Sequence, residues 1–258
     1  MTTGDQTIWV VLPAYNEAGG LPPLLASFHR LAVGRGLKSR NPVAGLRIII
    51  VDDGSQDQTA WVARRYADRL PITVLVHERN RGLATAIRTG VEYVCGQAAR
   101  DDVIVTMDAD YTHRPEQLPD LLAALDGGAD VAIASRYARG ARQGGVPAHR
   151  VLLSAGISWL LRLRFGLRGV RDYSCGYRAY RAGVLQAALA TYGHRLILSK
   201  GFTASTELLV KLVPFVQRFV EVPLDLRYDR KVGPSKMRTA QTMAGYVRLM
   251  CTPRPLPR

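Results

Sequence analysis

At 258 residues, 47% hydrophobic and 22% charged, the chain has the composition of an ordinary globular protein and the length to bury the core of one sizeable domain. Its 35 lysines and arginines against 21 aspartates and glutamates, a formal charge of +14, direct attention to anionic partners: phosphates, nucleic acid or a membrane surface. Three widely spaced cysteines, Cys95, Cys175 and Cys251, make neither a disulfide framework nor a zinc motif, so a reducing cytoplasm is the expected setting.

The N-terminal stretch MTTGDQTIWVVLPAYNE lacks the basic segment and long apolar run of a signal peptide. Short, β-branched, nearly continuous apolar runs then recur: IWVVLP (8–13), LRIIIVDD (46–53), PITVLVHE (71–78), DVIVTMDAD (102–110) and ADVAIASRY (129–137). Runs of this kind suit strands covered on both faces. Stretches with helical spacing separate them at 20–33, 57–69, 83–98 and 115–126. The alternation predicts an α/β fold with a single, mainly parallel sheet flanked by helices. Ligands in such folds gather beyond the carboxyl ends of the strands. There this chain places its polar clusters AYNE, DDGS, DAD and SRY.

Between Arg136 and Arg181 the character changes: ten arginines, no lysine, no glutamate and one aspartate, Asp172. The segment VLLSAGISWLLRLRF is interrupted by Arg162 and Arg164, and no apolar run approaches the ~18 residues needed to span a bilayer, so membrane contact is expected to be peripheral. Next come KGFTASTELLVKL (200–212), a strand-like EVPLDLRY (221–228), a Gly-Pro loop KVGPSKMR (231–238) and a last helical stretch. There Met237, Ala240, Met243, Val247 and Met250 recur at helical spacing. That stripe suits a helix lying on a membrane or one packed against the domain.

Asp108 and Asp110, one residue apart after an apolar run, repel each other unless a cation sits between them. Hard carboxylate oxygens on a strand-end loop suit Mg²⁺ or Mn²⁺, which share the rest of their shell with water and substrate phosphates. Such an ion neutralises a diphosphate as a leaving group. Asp52 and Asp53 form a second acidic pair, placed to accept hydrogen bonds from a base or ribose, while Ser55 and Asp57 suit a helix N-terminus. The sequence after the first strand, PAYNEAGG, is not the Gly-X-Gly-X-X-Gly of a dinucleotide site, which argues against NAD.

The segments PAYNE (13–17), VDDGSQDQT (51–59), NRGLATAIRTG (80–90), DADYTHRPEQL (108–118), SRY (135–137), DYSCGYR (172–178) and GPSKM (233–237) stand in an order and spacing that resembles family 2 inverting glycosyltransferases. The SRY, GYR and GPSK segments are similar to the dolichol-phosphate mannose synthase-like, or polyprenyl-phosphate glycosyltransferase, branch. The resemblance covers about residues 8–240. It implies a GT-A fold, a nucleoside-diphosphate sugar donor (GDP-mannose or a UDP-hexose) and a polyprenyl phosphate acceptor. It places Pro13, Tyr15, Glu17, Asp52, Asp53, Gly82, Asp108 and Lys236 around the nucleotide sugar. Asp108 and Asp110 would hold the metal, with Thr112 as third ligand, although threonine offers only a hydroxyl there. Arg136, Arg150, Ser154, Ser235 and Lys236 would bind the acceptor phosphate. Residues 1–220 would form the catalytic domain, and 221–258 an acceptor loop and interfacial helix of the same domain.

Arginine presents a planar fork that matches phosphate oxygens, which agrees with that placement for Arg136 and Arg150. Arg162, Arg164 and Arg168 also suit a solvated or membrane-facing helix surface. A phosphate monoester, with a second pKa of about 6, is already an anionic nucleophile near neutrality. Asp110, Arg136 and positioning would then suffice for the chemistry. A hydroxyl acceptor would need a general base, for which Glu207 in TASTELL is the candidate. His113 and His149 lie near the two motifs without a fixed role. A sugar nucleotidyltransferase would want a Gly-rich basic loop that AYNEAGG does not supply. A nucleic-acid binder would want exposed aromatics among its arginines, and aromatics are only 7%. No nucleic acid is expected as a partner.

Overall fold

A computed structural model describes residues 6–33, 45–233 and 239–252. The chain runs β1 (Ile8–Ala14), α1 (Leu21–Val33), β2 (Leu46–Asp52), α2 (Thr59–Arg65), β3 (Ile72–Val76), α3 (Leu83–Cys95) and β4 (Val103–Thr106). It continues through α4 (Leu118–Asp126), β5 (Val131–Ser135), β6 (Arg142–Gly144), α5 (Ala148–Phe165), β7 (Arg178–Arg181) and α6 (Ala182–Tyr192). The last described elements are α7 (Thr203–Lys211), β8 (Phe219–Pro223), β9 (Asp225–Arg227) and α8 (Thr239–Met250). Seven strands form one sheet in the order β3-β2-β1-β4-β7-β5-β8, parallel except for β7, which runs antiparallel to both β4 and β5. Strands β6 and β9 pair in a small parallel ribbon.

The strands read as continuous apolar runs because both faces are covered. Alternate residues feed two separate cores. Val10, Leu12, Ile48 and Ile50 pack with Leu24 and Phe28 of α1 and Leu121 of α4. Val11, Ile49 and Val51 pack on the other face with Ile87 and Val91 of α3. Helix α3 lies so close that a Cβ at Gly90 would collide with Val11 Cγ1. After β3 the chain returns past β1 to form β4, which puts a topological switch between β1 and β4. The loops after these two strands diverge there, and a ligand crevice opens between them.

The apolar run at 102–110 ends as a strand at Thr106, leaving the aspartates in the loop beyond it. The run at 221–228 divides between β8 and β9, which belong to different sheets. Strand β7 and helix α6 were not foreseen. RAYR is short and half arginine, yet Arg178 is fully buried because its guanidinium donates to the carbonyls of Tyr173 (2.6 Å) and Ser205. The α5 segment forms an 18-residue helix, and among the described residues no helix is long and apolar enough to cross a membrane.

Candidate active site

A cavity of about 890 Å³ opens beyond the carboxyl ends of β1, β2 and β4. Its first wall is two loops laced together by side chains. Ser55 Oγ accepts the Asn16 N–H (2.9 Å), Asn16 Oδ1 accepts the Gln56 N–H (2.8 Å), and Thr59 Oγ1 accepts the Glu17 N–H (2.8 Å). Asn16 has a left-handed backbone (φ 51°), which turns Tyr15 and Glu17 into the cavity wall. Asp57 stands one residue before the N-cap Gln58 of α2, where it accepts the Thr59 N–H (2.9 Å), and it also takes the Ala18 N–H (3.1 Å) from the first loop.

Asp53 lines the cavity and organises its neighbour. Oδ1 accepts the Arg81 N–H (2.9 Å) and lies 2.7 Å from His77 Nδ1, while Oδ2 accepts the Gly82 N–H (2.7 Å). Gly82 has φ 90°, a backbone that side chains rarely adopt, and its turn leads into α3 beside the cavity. His77, which the sequence did not single out, is held on its other side by Thr89 Oγ1 at 3.1 Å.

The two motif aspartates follow β4. Tyr111 turns left-handed (φ 62°), which brings the Thr112 N–H (3.1 Å) and hydroxyl (2.7 Å) onto Asp110 Oδ1. The Lys231 ammonium forms an ion pair with Asp110 Oδ2. The Asp108 N–H donates to His113 Nδ1 (3.3 Å), which also lies 3.8 Å from Asp108 Oδ2. The environments push the two carboxyls apart. Burial, with the nearby Asp110 charge, raises Asp108 against the pull of His113 and Lys231. Burial also penalises Asp110, but Lys231 and the Thr112 hydroxyl outweigh it and hold that carboxyl below the usual range.

The opposite wall is basic. The Arg136 Nε and Nη2 donate to Asp172 (2.8 and 2.7 Å), and Nη2 also donates to Ser174 Oγ (2.6 Å). Asp172 is fully buried and accepts the N–H groups of Arg136 (3.0 Å) and Cys175 (3.0 Å) as well. Burial penalises its charge, but Arg136 outweighs that and keeps the carboxyl depressed. Arg150, on α5, donates to the Tyr228 hydroxyl (2.6 Å), and Ser154 Oγ lies 3.1 Å from the Tyr137 hydroxyl. Leu153 and Ile157 of α5 and Met243 and Tyr246 of α8 continue this wall as an apolar surface.

The family model for glycosyl transferase family 2 matches residues 9–189, most of the chain and all the strand-end loops of β1 to β5. The chain belongs to glycosyl transferase family 2. This glycosyltransferase is 34% identical over 234 residues to the polyprenol monophosphomannose synthase of Mycolicibacterium smegmatis, covering 90% of this chain and 81% of that one. It is 35% identical over 231 residues to the undecaprenyl-phosphate mannosyltransferase of Micrococcus luteus, covering 89% and 87%. Its fold matches the glucosyl-3-phosphoglycerate synthase of Mycobacterium tuberculosis, solved with Mn²⁺, UDP-glucose and phosphoglyceric acid, at a TM-score of 0.64 and 19% identity over 95% of this chain and 77% of that one. The expected family and its GT-A fold are therefore present.

Of the residues singled out in the sequence, this glycosyltransferase brings Pro13, Tyr15, Glu17, Asp53, Gly82, Asp108, Asp110, Thr112, Arg136, Arg150 and Ser154 to one cavity. Two are corrected. Asp52 does not line the cavity: its carboxylate is buried and accepts the Ser55 N–H (3.0 Å), shaping the turn. Glu207 does not line it either: Oε2 accepts the N–H groups of Leu198 (2.8 Å) and Ser199 (2.6 Å), and Oε1 pairs with Lys211 (2.5 Å). It pins the 198–199 loop and pairs with Lys211, so both of its oxygens are engaged in holding structure. Thr112 donates its hydroxyl to Asp110 Oδ1, which positions that carboxylate. Ser235, Lys236 and Met237 lie outside the described residues. Lys231, at the head of the same KVGPSKMR loop, is the cation that the structure places on the motif.

Proposed function

We propose that this glycosyltransferase moves a hexose, with inversion, from a nucleoside-diphosphate sugar (GDP-mannose or a UDP-hexose) to a polyprenyl phosphate. The observation that carries this reading is the distribution of acids around the cavity. Among the described lining residues the carboxylates are Glu17, Asp53, Asp108 and Asp110, all on the strand-end wall. None stands on the wall of Arg136, Arg150 and Ser154, where a hydroxyl acceptor would need a base. A phosphate acceptor needs none.

Asp108 and Asp110 fit a divalent cation, Mg²⁺ or Mn²⁺. Their oxygens are hard, they face the cavity, and Asp110 already draws the Lys231 ammonium. No third acidic, His or Cys residue among those described completes a closed metal set, which suits an ion that leaves positions for water and diphosphate oxygens. When bound, the ion supplies charge neutralisation at the departing diphosphate. Asp53 and its turn at Arg81 and Gly82 shape the nucleotide pocket. Arg150 and Ser154 orient the acceptor phosphate, Arg136 adds fixed positive charge behind them, and Leu153, Ile157 and Met243 receive the first isoprene units. A phosphate oxygen then attacks the anomeric carbon as the bond from that carbon to the nucleoside diphosphate breaks, with no proton to remove. Contact with the membrane is peripheral in this reading, on its cytoplasmic face.

The test is transfer from labelled GDP-mannose and UDP-hexoses to a short polyprenyl phosphate with Mg²⁺ or Mn²⁺, read as label in the organic phase. Label from one donor is expected, with a loss of about 10²–10³-fold in Asp110→Ala. Retained nucleotide-sugar binding without organic label would move the acceptor to a soluble molecule.

A further inference from the structure

Helix α5 forms one wall of the active cavity with its first half. Ser154 and Arg162 are separated by roughly 12 Å along its axis, and at the far end lies a second cavity of about 840 Å³. Arg139, Arg162, Arg168 and Arg171 line it, with Trp159 at its rim. All four arginines are exposed. None of the four forms an ion pair among the described residues, whereas Arg114, Arg136 and Arg227 each have a carboxylate partner. Glu221 also lines the cavity, but its Oε1 is committed to the N–H groups of Arg171 (2.5 Å) and Asp172 (2.6 Å). Four guanidinium groups gathered in a hollow repel one another and have the fork geometry for phosphate oxygens.

The surface beside this hollow is apolar. Of the 18 residues of α5 only Ser158, Leu161 and Phe165 are buried. Leu152 (73% exposed), Trp159 (59%) and Leu163 (61%) follow one another at helical spacing along its outer side, with Leu160 next to them. Helix α8 is tied alongside through Arg164, which donates to the carbonyls of Met250 and Thr252 (2.6 Å each), and it exposes Val247. An exposed apolar helix side with unpaired arginines at its end matches the interface of an anionic bilayer, where Trp and Leu enter the acyl boundary and guanidinium groups meet phosphates.

We propose that the Arg139–Arg162–Arg168–Arg171 hollow is a binding site for the phosphate headgroups of anionic phospholipids, and that α5 docks on the bilayer with Trp159 and Leu163 inserted. This site is separate from the cavity assigned to the acceptor, and it stands whether or not that acceptor is a lipid.

The experiment uses the whole protein and vesicles that contain no polyprenyl phosphate. Flotation with phosphatidylcholine vesicles is compared with flotation on the same vesicles containing phosphatidylglycerol. Binding to the anionic vesicles is expected, with a blue shift of tryptophan emission that Trp159→Phe removes. Arg162→Gln/Arg168→Gln should weaken partitioning by about 30-fold, whereas Arg47→Gln/Arg69→Gln, exposed and remote from the hollow, should lose much less for the same change in net charge. Three results would overturn the proposal: equal binding to neutral vesicles, equal losses in the two double variants, or tight capture of inorganic phosphate without vesicle binding. Unchanged nucleotide-sugar binding confirms that each variant is folded.

Discussion

On the strand-end side of the active cavity Asp52, Asp53 and Asp110 are each held by a neighbour a few residues away or one loop across. Asp52 takes Ser55, Asp53 takes Arg81 and Gly82, and Asp110 takes Thr112 and Lys231. On the α5 side the opposite holds. Arg136 is paired with the buried Asp172 and Arg150 is held by the Tyr228 hydroxyl, but Arg139, Arg162, Arg168 and Arg171 stand exposed beside leucines and a tryptophan. The strand-end wall is preorganised by backbone hydrogen bonds, which suits recognition of one small, polar ligand. The α5 wall is left for a ligand or surface to complete, which suits something extended and greasy with a phosphate. Asp172 is the hinge of the comparison, because it extends the rigid construction one residue into the basic wall.

Breaking that lock should give the largest effect. Asp172→Asn leaves the Arg136 charge buried without its counterion, and a loss of about 3–5 kcal/mol is expected in denaturant unfolding. The effect depends on pH. Arg136 outweighs the cost of burial, so the folded pKa of Asp172 lies below that of the unfolded chain. The stabilisation is therefore complete above about pH 4 and lost as pH falls through the lower, folded value. Wild type and variant should converge in acid; a gap that stays constant would show that the pair is not the source.

Gly54→Ala should come next, at about 1–3 kcal/mol. Its φ is 69°, and an added Cβ would collide with the backbone of Arg79, so the loop carrying Asp53 would have to move away from the Gly82 turn. Weakened nucleotide binding should accompany the loss of stability. Tyr228→Phe removes one hydrogen bond from Arg150 and nothing from the strand-end side. At about 0.5–1.5 kcal/mol it should raise the acceptor KM several-fold and leave the donor KM unchanged. The smallest perturbation is thiol labelling. Cys175 sits beneath the Asp172 clamp, buried, with burial pushing its thiol up to about 12, whereas Cys251 is exposed after α8. Cys251 should react at once and Cys175 only on unfolding.

The parallel core and the strand-end loops were legible in the sequence because strands buried on both faces must be continuous apolar runs, and their polar followers must then share an edge. What was not legible has physical reasons. Asp52 and Asp53 look equivalent, but successive side chains at a strand end point to opposite sides, so only one faces the cavity. Glu207 read as a base because a glutamate near a site does not show its partners; here two N–H groups and Lys211 use both oxygens. Lys231 belongs to the same basic loop as Lys236, and nothing in its sequence neighbours marks it as the partner of Asp110, which only the fold shows. Strand β7 escaped because nothing in its sequence neighbours shows how its buried arginine is accommodated; the carbonyls of Tyr173 and Ser205 accept its hydrogen bonds.

Strand β7 has one more consequence. It lies between β4 and β5, yet it is made after α5, far later in the chain than either. A nascent chain that has reached only Ser135 holds β1 to β4 with a bare edge at β4, and nothing to which β5 can attach. The last strand to complete the join is also the one that joins the strand-end half to the arginine-rich half. The two walls therefore meet only once β7 has been made, which places their assembly late in the folding of this enzyme.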